Sequence, residues 1–204
     1  MFTLYHCANA RSFRVLWTLE EMGLDYTLKN VAFPPRFREA NYLSINPLGT
    51  VPAFFDDDTR MTESAAICQY LATKYGPSPL AVTPDEPDYA AYLNFLVMAE
   101  ATLTFPQTVF LRYTMLEPEE RRLPQAASDY AQWFASRFKA AVTLMGPVYA
   151  CAGRFTAADI SLAYAVRLAN AIGLADAVPA RAQEYLAFLS ARDGYQRAVA
   201  RETA

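Results

Sequence analysis

The chain has 204 residues, 53% of them hydrophobic and 14% aromatic, with a formal net charge of −3; this excludes a disordered polymer and allows one large packed domain or two small ones. With no Lys/Arg-rich run there is no electrostatic footprint for nucleic acid, and no apolar stretch approaches the ~18 residues a membrane span needs. Cys7, Cys68 and Cys151 lie far apart and form no CxxC pair, which points to reduced thiols in the cytoplasm and against a disulfide framework or a metal site.

The chain opens on a strand-like "FTLY", with neither the basic region nor the apolar run of a signal peptide. From Arg11 to Met22, the residues Val15, Leu16, Leu19 and Met22 recur at helical spacing, joined by Phe13 and Trp17, and Gly23 supplies the stop. "DYTLKNV" alternates loosely, as a strand does. "PPRFREANYLSIN" opens on prolines and carries a weak helical pattern. "VPAFF" is a short apolar strand, and "DDDTR" turns into a second one. "ESAAICQYLATKYG" is helical, with Gly76 as its stop, so residues 1–76 read β-α-β-α-β-β-α, a small α/β unit.

Four prolines between 76 and 87 mark a linker. Beyond it no strand is predicted. Ala-rich segments at 88–115, 119–145, 157–172, 178–191 and 194–202 read as helices, with a kink expected at Pro106. In "FTAADISLAYAV", Thr156 and Asp159 have capping-box spacing, and Phe155 and Ile160 are placed to form a hydrophobic staple.

Two stretches carry candidate chemistry. In "NPLGTVPAFF", Pro52 lies between a turn and a strand, where it can simply open an edge strand or form a cis peptide bond. In the second case the backbone of Val51 can pair with an extended peptide ligand. In "TESAAI", Glu63 and Ser64 stand at the start of a helix. They serve as an N-cap or as a site for an amino-acid end: free N–H groups and a hydroxyl for its carboxylate, and Glu63 for its ammonium.

The β-α-β-α-β-β-α unit, "NPLGTVPAF", "TESAAI", the proline-rich linker, the all-α remainder and the late "FTAADIS" together resemble a cytosolic glutathione S-transferase, in the right order along essentially the whole chain. The resemblance implies a thioredoxin-like glutathione-binding domain over 1–77, a linker over 78–87 and an all-helical domain over 88–204 that contributes the electrophile pocket. It implies glutathione as co-substrate without a metal, a small hydrophobic electrophile and a homodimer. Val51 becomes the clamp on the cysteinyl part, Pro52 the cis-proline, and Glu63 and Ser64 the γ-glutamyl anchors. Thr50 adds a side-chain contact beside the clamp, and Arg38 meets the glycine carboxylate. Phe155, Thr156 and Asp159 belong to a folding motif.

Glutathione must act as a thiolate, and a free thiol with a pKa of ~8.5 is mostly protonated at neutral pH. A hydrogen-bond donor at the sulfur favours the anion. Counting back from Gly23 as the family pattern implies, the tyrosine of the Tyr-type classes falls on Tyr5, the serine or cysteine of other classes on Asn9, and a supporting arginine on Arg11. Asn9 departs from the serine and cysteine types: its amide can donate, but it is no nucleophile. Tyr5, Asn9 and Arg11 are therefore the catalytic candidates, with Ser12 either beside them or a helix cap. His6 and Cys7, the only histidine and its neighbouring cysteine, make a poor dyad because adjacent strand residues point to opposite faces. Phe105, Arg112 and Tyr113 are placed in the electrophile pocket by position. Activity is expected as a transferase, or alternatively as a peroxidase or disulfide reductase; a non-catalytic glutathione- or ligand-binding protein is the reading from a different class.

Overall fold

The computed structural model describes residues 1–202. Two compact units divide it: residues 1–81 together with the stretch from Ser190 onward, and residues 82–189.

The first unit is built on a four-stranded sheet in the order β2-β1-β3-β4, comprising β1 (Phe2–His6), β2 (Tyr26–Asn30), β3 (Ala53–Asp56) and β4 (Thr59–Met61). β1 pairs parallel with β2, from Phe2↔Tyr26 to His6↔Asn30, and antiparallel with β3, from Phe2↔Asp56 to Tyr5↔Ala53. A parallel neighbour needs a crossover, and α1 (Ser12–Met22) provides it. Its residues from Ser12 to Glu20 are all buried, the polar Ser12, Arg14, Thr18 and Glu20 among them. Gly23 ends it at φ +63, with the amides of Gly23 and Leu24 returning to Glu20 O and Leu19 O. α4 (Ser64–Lys74) packs beside α1. Between β2 and β3 the weak helical pattern resolves into two short helices, α2 (Pro35–Arg38) and α3 (Tyr42–Ile45). Asn41, at φ +59, breaks the run, since a left-handed residue cannot continue a right-handed helix.

The second unit is helical, and no strand follows β4 among the described residues. α5 (Tyr89–Met98) continues through a π-helical turn at Ala99–Thr104 into α6 (Phe105–Leu111) and a second π-helical turn at Arg112–Leu116. The first π-turn stands where Pro106 was expected to disturb the helix. A proline lacks the N–H and crowds the carbonyl four residues back, and the wider turn accommodates both. α7 (Pro124–Ala141) starts later than the sequence pattern, because Pro124 takes an early position in the helix where no N–H is needed. α8 (Ala157–Ala171) is the central helix, buried from Ala157 to Val166. Its capping box is present: Asp159 Oδ2 accepts the Thr156 amide at 2.7 Å and the Thr156 hydroxyl at 2.8 Å. Oδ1 accepts Ala150 N at 2.7 Å and Tyr185 Oη at 2.6 Å, tying α8 to α9 (Ala180–Ser190).

The last helix, α10 (Asp193–Glu202), groups with the α/β unit and not with the helical segments that precede it in sequence. Sequence spacing carries no information on this placement. It is decided by packing against α1: Tyr195 sets its ring against Phe13 and Trp17, and Arg192 and Arg197 pair with Glu21 and Glu20.

Candidate functional site

The site begins at the turn before β3. Asn46, fully buried, accepts the Leu48 amide on its Oδ1 at 3.0 Å, an Asx turn, and donates its Nδ2 to Thr50 O at 2.7 Å. The Tyr42 hydroxyl also donates to Thr50 O, at 2.9 Å. These two side chains hold the chain as it enters Val51–Pro52, whose peptide bond is cis. The ladder with β1 stops at Ala53, and among the described residues neither N–H nor C=O of Val51 is hydrogen-bonded. Val51 is only 7% exposed. Buried backbone groups are nearly always paired, so an unpaired donor and acceptor on one such residue call for an outside partner with both complements, as an extended peptide has.

Tyr5 packs with Val51 in one apolar cluster that also takes in Cys7 and Tyr42. Its ring stands edge-on to Tyr42 and Phe55, each at 6.1 Å. No hydrogen bond engages its hydroxyl among the described residues. Cys7 lies on this same face, two residues along, while His6 is fully buried with Nδ1 2.9 Å from Ser12 Oγ. The expected separation of His6 from Tyr5 therefore holds, and no Cys–His dyad forms. Burial, with Glu39 adding to it, pushes the Cys7 thiol up to about 12, which leaves it protonated and inert at neutral pH.

The second half of the site is the start of α4. Glu63 is its N-cap residue, exposed, with its carbonyl accepting Ile67 N at 2.9 Å and no side-chain cap hydrogen bond. Among the described residues its carboxylate has no ion-pair partner. Ser64 is buried, and its Oγ accepts Arg14 Nη1 at 3.1 Å. Arg14 is a residue that sequence reasoning passed over, one more position in the apolar run of α1. Its guanidinium is fully buried and occupies a lone pair of Ser64, which leaves the hydroxyl proton to point elsewhere. The helix start thus offers free amides, a hydroxyl donor and a positive charge below it, a favourable place for a carboxylate.

The other candidates are placed as follows. Asn9 is exposed at φ +59, and its amide donates to Glu202 Oε1 at 2.8 Å. Arg11, half-buried, is the N-cap residue of α1. Ser12 is no cap: its buried Oγ accepts the Cys7 amide at 3.3 Å. Thr50 is exposed, and Arg38 is exposed on α2. In the helical unit, Phe105 is 51% exposed and lines a surface groove of about 350 Å³ with Tyr130, Trp133 and Arg137. Arg112 pairs with Glu117 at 2.8 Å and lies over the Tyr113 ring, so both are engaged within their own helical segment. Among the described residues no group of three or more His, Cys, Asp or Glu side chains is placed to hold a metal ion, and no helix is long and apolar enough to cross a membrane.

A βαβαββα domain with a cis-proline at the entry to its third strand, followed by an all-helical domain, defines a class: a thioredoxin-like domain joined to a helical one. Residues 10–74 match the family model for the glutathione S-transferase N-terminal domain. The chain is similar to glutathione S-transferase 3 of Schizosaccharomyces pombe, 35% identical over 103 residues, which are 50% of this chain and 43% of that one. It is also similar to the glutathione S-transferase hmp2 of Hypomyces subiculosus, 35% identical over 133 residues, 59% of this chain and 62% of that one. The matched region thus spans less than two thirds of either relative's length. Among solved structures, a glutathione transferase of Methylococcus capsulatus superposes with a TM-score of 0.76 at 25% identity, covering 100% of this chain and 99% of that one. A homologue from Sulfitobacter with bound glutathione reaches 0.82 at 23%, covering 98% of each chain. Residues 10–74 thus carry the signature of a glutathione S-transferase N-terminal domain, and the fold of the chain is that of bacterial and fungal glutathione transferases.

Proposed function

We propose that this protein is a glutathione S-transferase that binds glutathione on its α/β unit and activates the thiol for attack on a small hydrophobic electrophile. The observation that carries the reading is the unpaired backbone of buried Val51, in the same unit as a helix start bearing Glu63 and Ser64. Val51 takes the cysteinyl part as an added strand. The γ-glutamyl carboxylate takes the α4 amides and the Ser64 hydroxyl, and Glu63 takes the ammonium. Thr50 borders the clamp, and Arg38 receives the glycine carboxylate.

Once Val51 holds the cysteinyl backbone, the Tyr5 phenol, packed in the cluster that contains Val51, is the candidate donor to the sulfur. Tyr5 therefore donates to the thiolate and lowers its pKa, with Asn9 and Arg11 contributing from the loop that follows β1. Rate enhancement comes from this electrostatic stabilisation and from holding the nucleophile beside its target. The domain reading along the sequence is a glutathione domain over 1–77, a linker over 78–87 and an electrophile domain over 88–204, of which α10 groups with the first compact unit, in a homodimer located in the cytoplasm, as three unpaired and buried cysteines suit.

Retention on immobilised glutathione, followed by turnover of an aryl halide, tests the reading. Failure to be retained removes the site. Retention with hydroperoxide or disulfide turnover alone moves the chemistry to peroxidase or reductase, a reading that the amide at Asn9, where a serine would donate, favours. Retention with neither activity leaves a glutathione-binding protein. Tyr5→Phe is expected to raise the pKa of the bound thiol by about 1 unit or more, and Asn9→Ala and Arg11→Ala by less; titration of thiolate absorbance reads all three. Sedimentation of the purified chain tests the dimer.

A further inference from the structure

α10 is fixed to α1 along its length. Arg192 donates Nε and Nη2 to the two oxygens of Glu21 at 2.9 and 2.8 Å, and Arg197 donates Nε to Glu20 Oε2 at 2.9 Å and Nη2 to Glu20 O at 2.6 Å. Tyr195 lies edge-on to Trp17 at 4.9 Å. Gly194 permits the approach: a Cβ there would stand 2.6 Å from Glu21 Cδ. A helix anchored this firmly delivers the residue at its end to a defined place, and that residue is Glu202.

The side chain of Glu202 is only 4% exposed. Its Oε1 accepts the amide of Asn9 at 2.8 Å, across 193 residues of sequence, and lies 3.4 Å from His6 Nε2. No hydrogen bond satisfies this buried Nε2 among the described residues. The other imidazole nitrogen meets Ser12 Oγ, which in turn accepts the amide of Cys7. The β1–α1 loop is therefore held at two points, Cys7 through Ser12 and Asn9 through Glu202, with His6 lying between the two anchors. Asn9 sits at φ +59, in the left-handed region that asparagine tolerates better than most residues with a side chain, so its amide is presented to Glu202 by a local turn geometry. A carboxylate this buried is retained only where it is well supplied with donors, and here a donor is the backbone of the loop that carries Asn9 and Arg11.

We propose that Glu202 is a positioning residue for the glutathione-activating loop: without touching the ligand, it fixes the backbone at Asn9 and so places Asn9 and Arg11 relative to the sulfur. The consequence for catalysis rests on the glutathione reading given above; the anchoring itself does not.

The test uses three variants of the full chain. Glu202→Ala removes the acceptor. Glu202→Asp withdraws it by one methylene while keeping the charge and serves if the alanine variant fails to fold. Glu202→Gln keeps an acceptor for Asn9 and gives up the charge facing His6. Amide exchange at Asn9, followed by NMR, reports the anchor, and the pH titration of thiolate absorbance reports bound glutathione. In Glu202→Ala and Glu202→Asp, exchange at Asn9 is expected to accelerate by about tenfold or more. The pH at which bound glutathione ionises rises with it, while glutathione affinity changes by less than about threefold because Val51, Glu63 and Ser64 are untouched. Glu202→Gln is expected to restore most of both effects. Unchanged exchange at Asn9 would overturn the anchor. Faster exchange with an unmoved ionisation would reduce Glu202 to a structural residue. If the wild-type chain binds no glutathione, the functional reading fails and the catalytic consequence with it, while exchange at Asn9 still decides the anchor.

Discussion

The two units differ in which polar groups they leave open. In the helical unit the buried network around Asp159 is closed, although Gln107 Oε1 has no hydrogen-bond partner among the described residues. Asp159 accepts from Ala150, Tyr185 and both donors of Thr156; Gln107 Nε2 bridges Leu103 O and Ala165 O; and at the surface the exposed Arg181 donates to the carbonyls of Val142, Met145 and Gly146. In the α/β unit Asp56 and Asn46 are likewise engaged, but the Val51 backbone, the Tyr5 hydroxyl and the exposed Glu63 carboxylate have no partner among the described residues. A used polar group contributes to stability, and one left open is available to a ligand. The contrast marks the α/β unit as the place of the candidate site without reference to any relative.

The contrast can be broken, starting where the largest effect is expected. Asp159→Ala strands four donors in a core that excludes water, and urea unfolding should show a loss of about 3–5 kcal/mol. A loss below about 1 kcal/mol would mean that the network is not the scaffold it looks to be. Glu63→Gln combined with Ser64→Ala should weaken glutathione binding about 10–100-fold by calorimetry, while stability moves far less than in the Asp159 variant. Comparable losses in both assays would erase the distinction.

Asp56 tests the α/β unit's own scaffold. Burial pushes its carboxyl up, but hydrogen bonds from Lys74, Tyr70 and Tyr75 outweigh burial and hold it down at about 2, against an ordinary 3.8. A lowered folded-state value means that its contribution is complete above 3.8 and is lost as the pH falls through about 2. Denaturation midpoints followed from pH 5 downward should decline over that window, and Asp56→Asn should flatten the decline. The smallest effect is expected at Trp133, 45% exposed and stacked on Tyr130. Trp133→Ala should change stability by no more than about 1 kcal/mol, and a larger loss by thermal unfolding would place that groove among the structural regions.

What was legible in the sequence was legible over short spans. Gly23 as a helix stop, Thr156 with Asp159 as a capping box, and Glu63–Ser64 at a helix start are each decided within a few residues, where backbone geometry leaves few options. The unbroken helix expected around Pro106 with a kink, and the start of α7 at 119, were inexact because a proline can be absorbed by a π-turn or moved to a helix start, and periodicity alone does not choose. Arg14 and Asn46 were hidden for a different reason. One reads as part of an apolar helix and the other as part of a turn, and their importance lies in partners that only folding reveals.

The sequence by itself determined the order and type of the elements, the polar residues that are candidates for a ligand site, and the family they resemble, because periodicity, caps and turn residues act locally. The tertiary structure decided which of those residues meet. It set Tyr5 against Val51, put the Arg14 guanidinium under Ser64, folded α10 back onto α1, and brought Glu202 to the amide of Asn9. Each of these contacts joins residues far apart along the chain, and such contacts are chosen by the packing of whole elements, which no local pattern encodes.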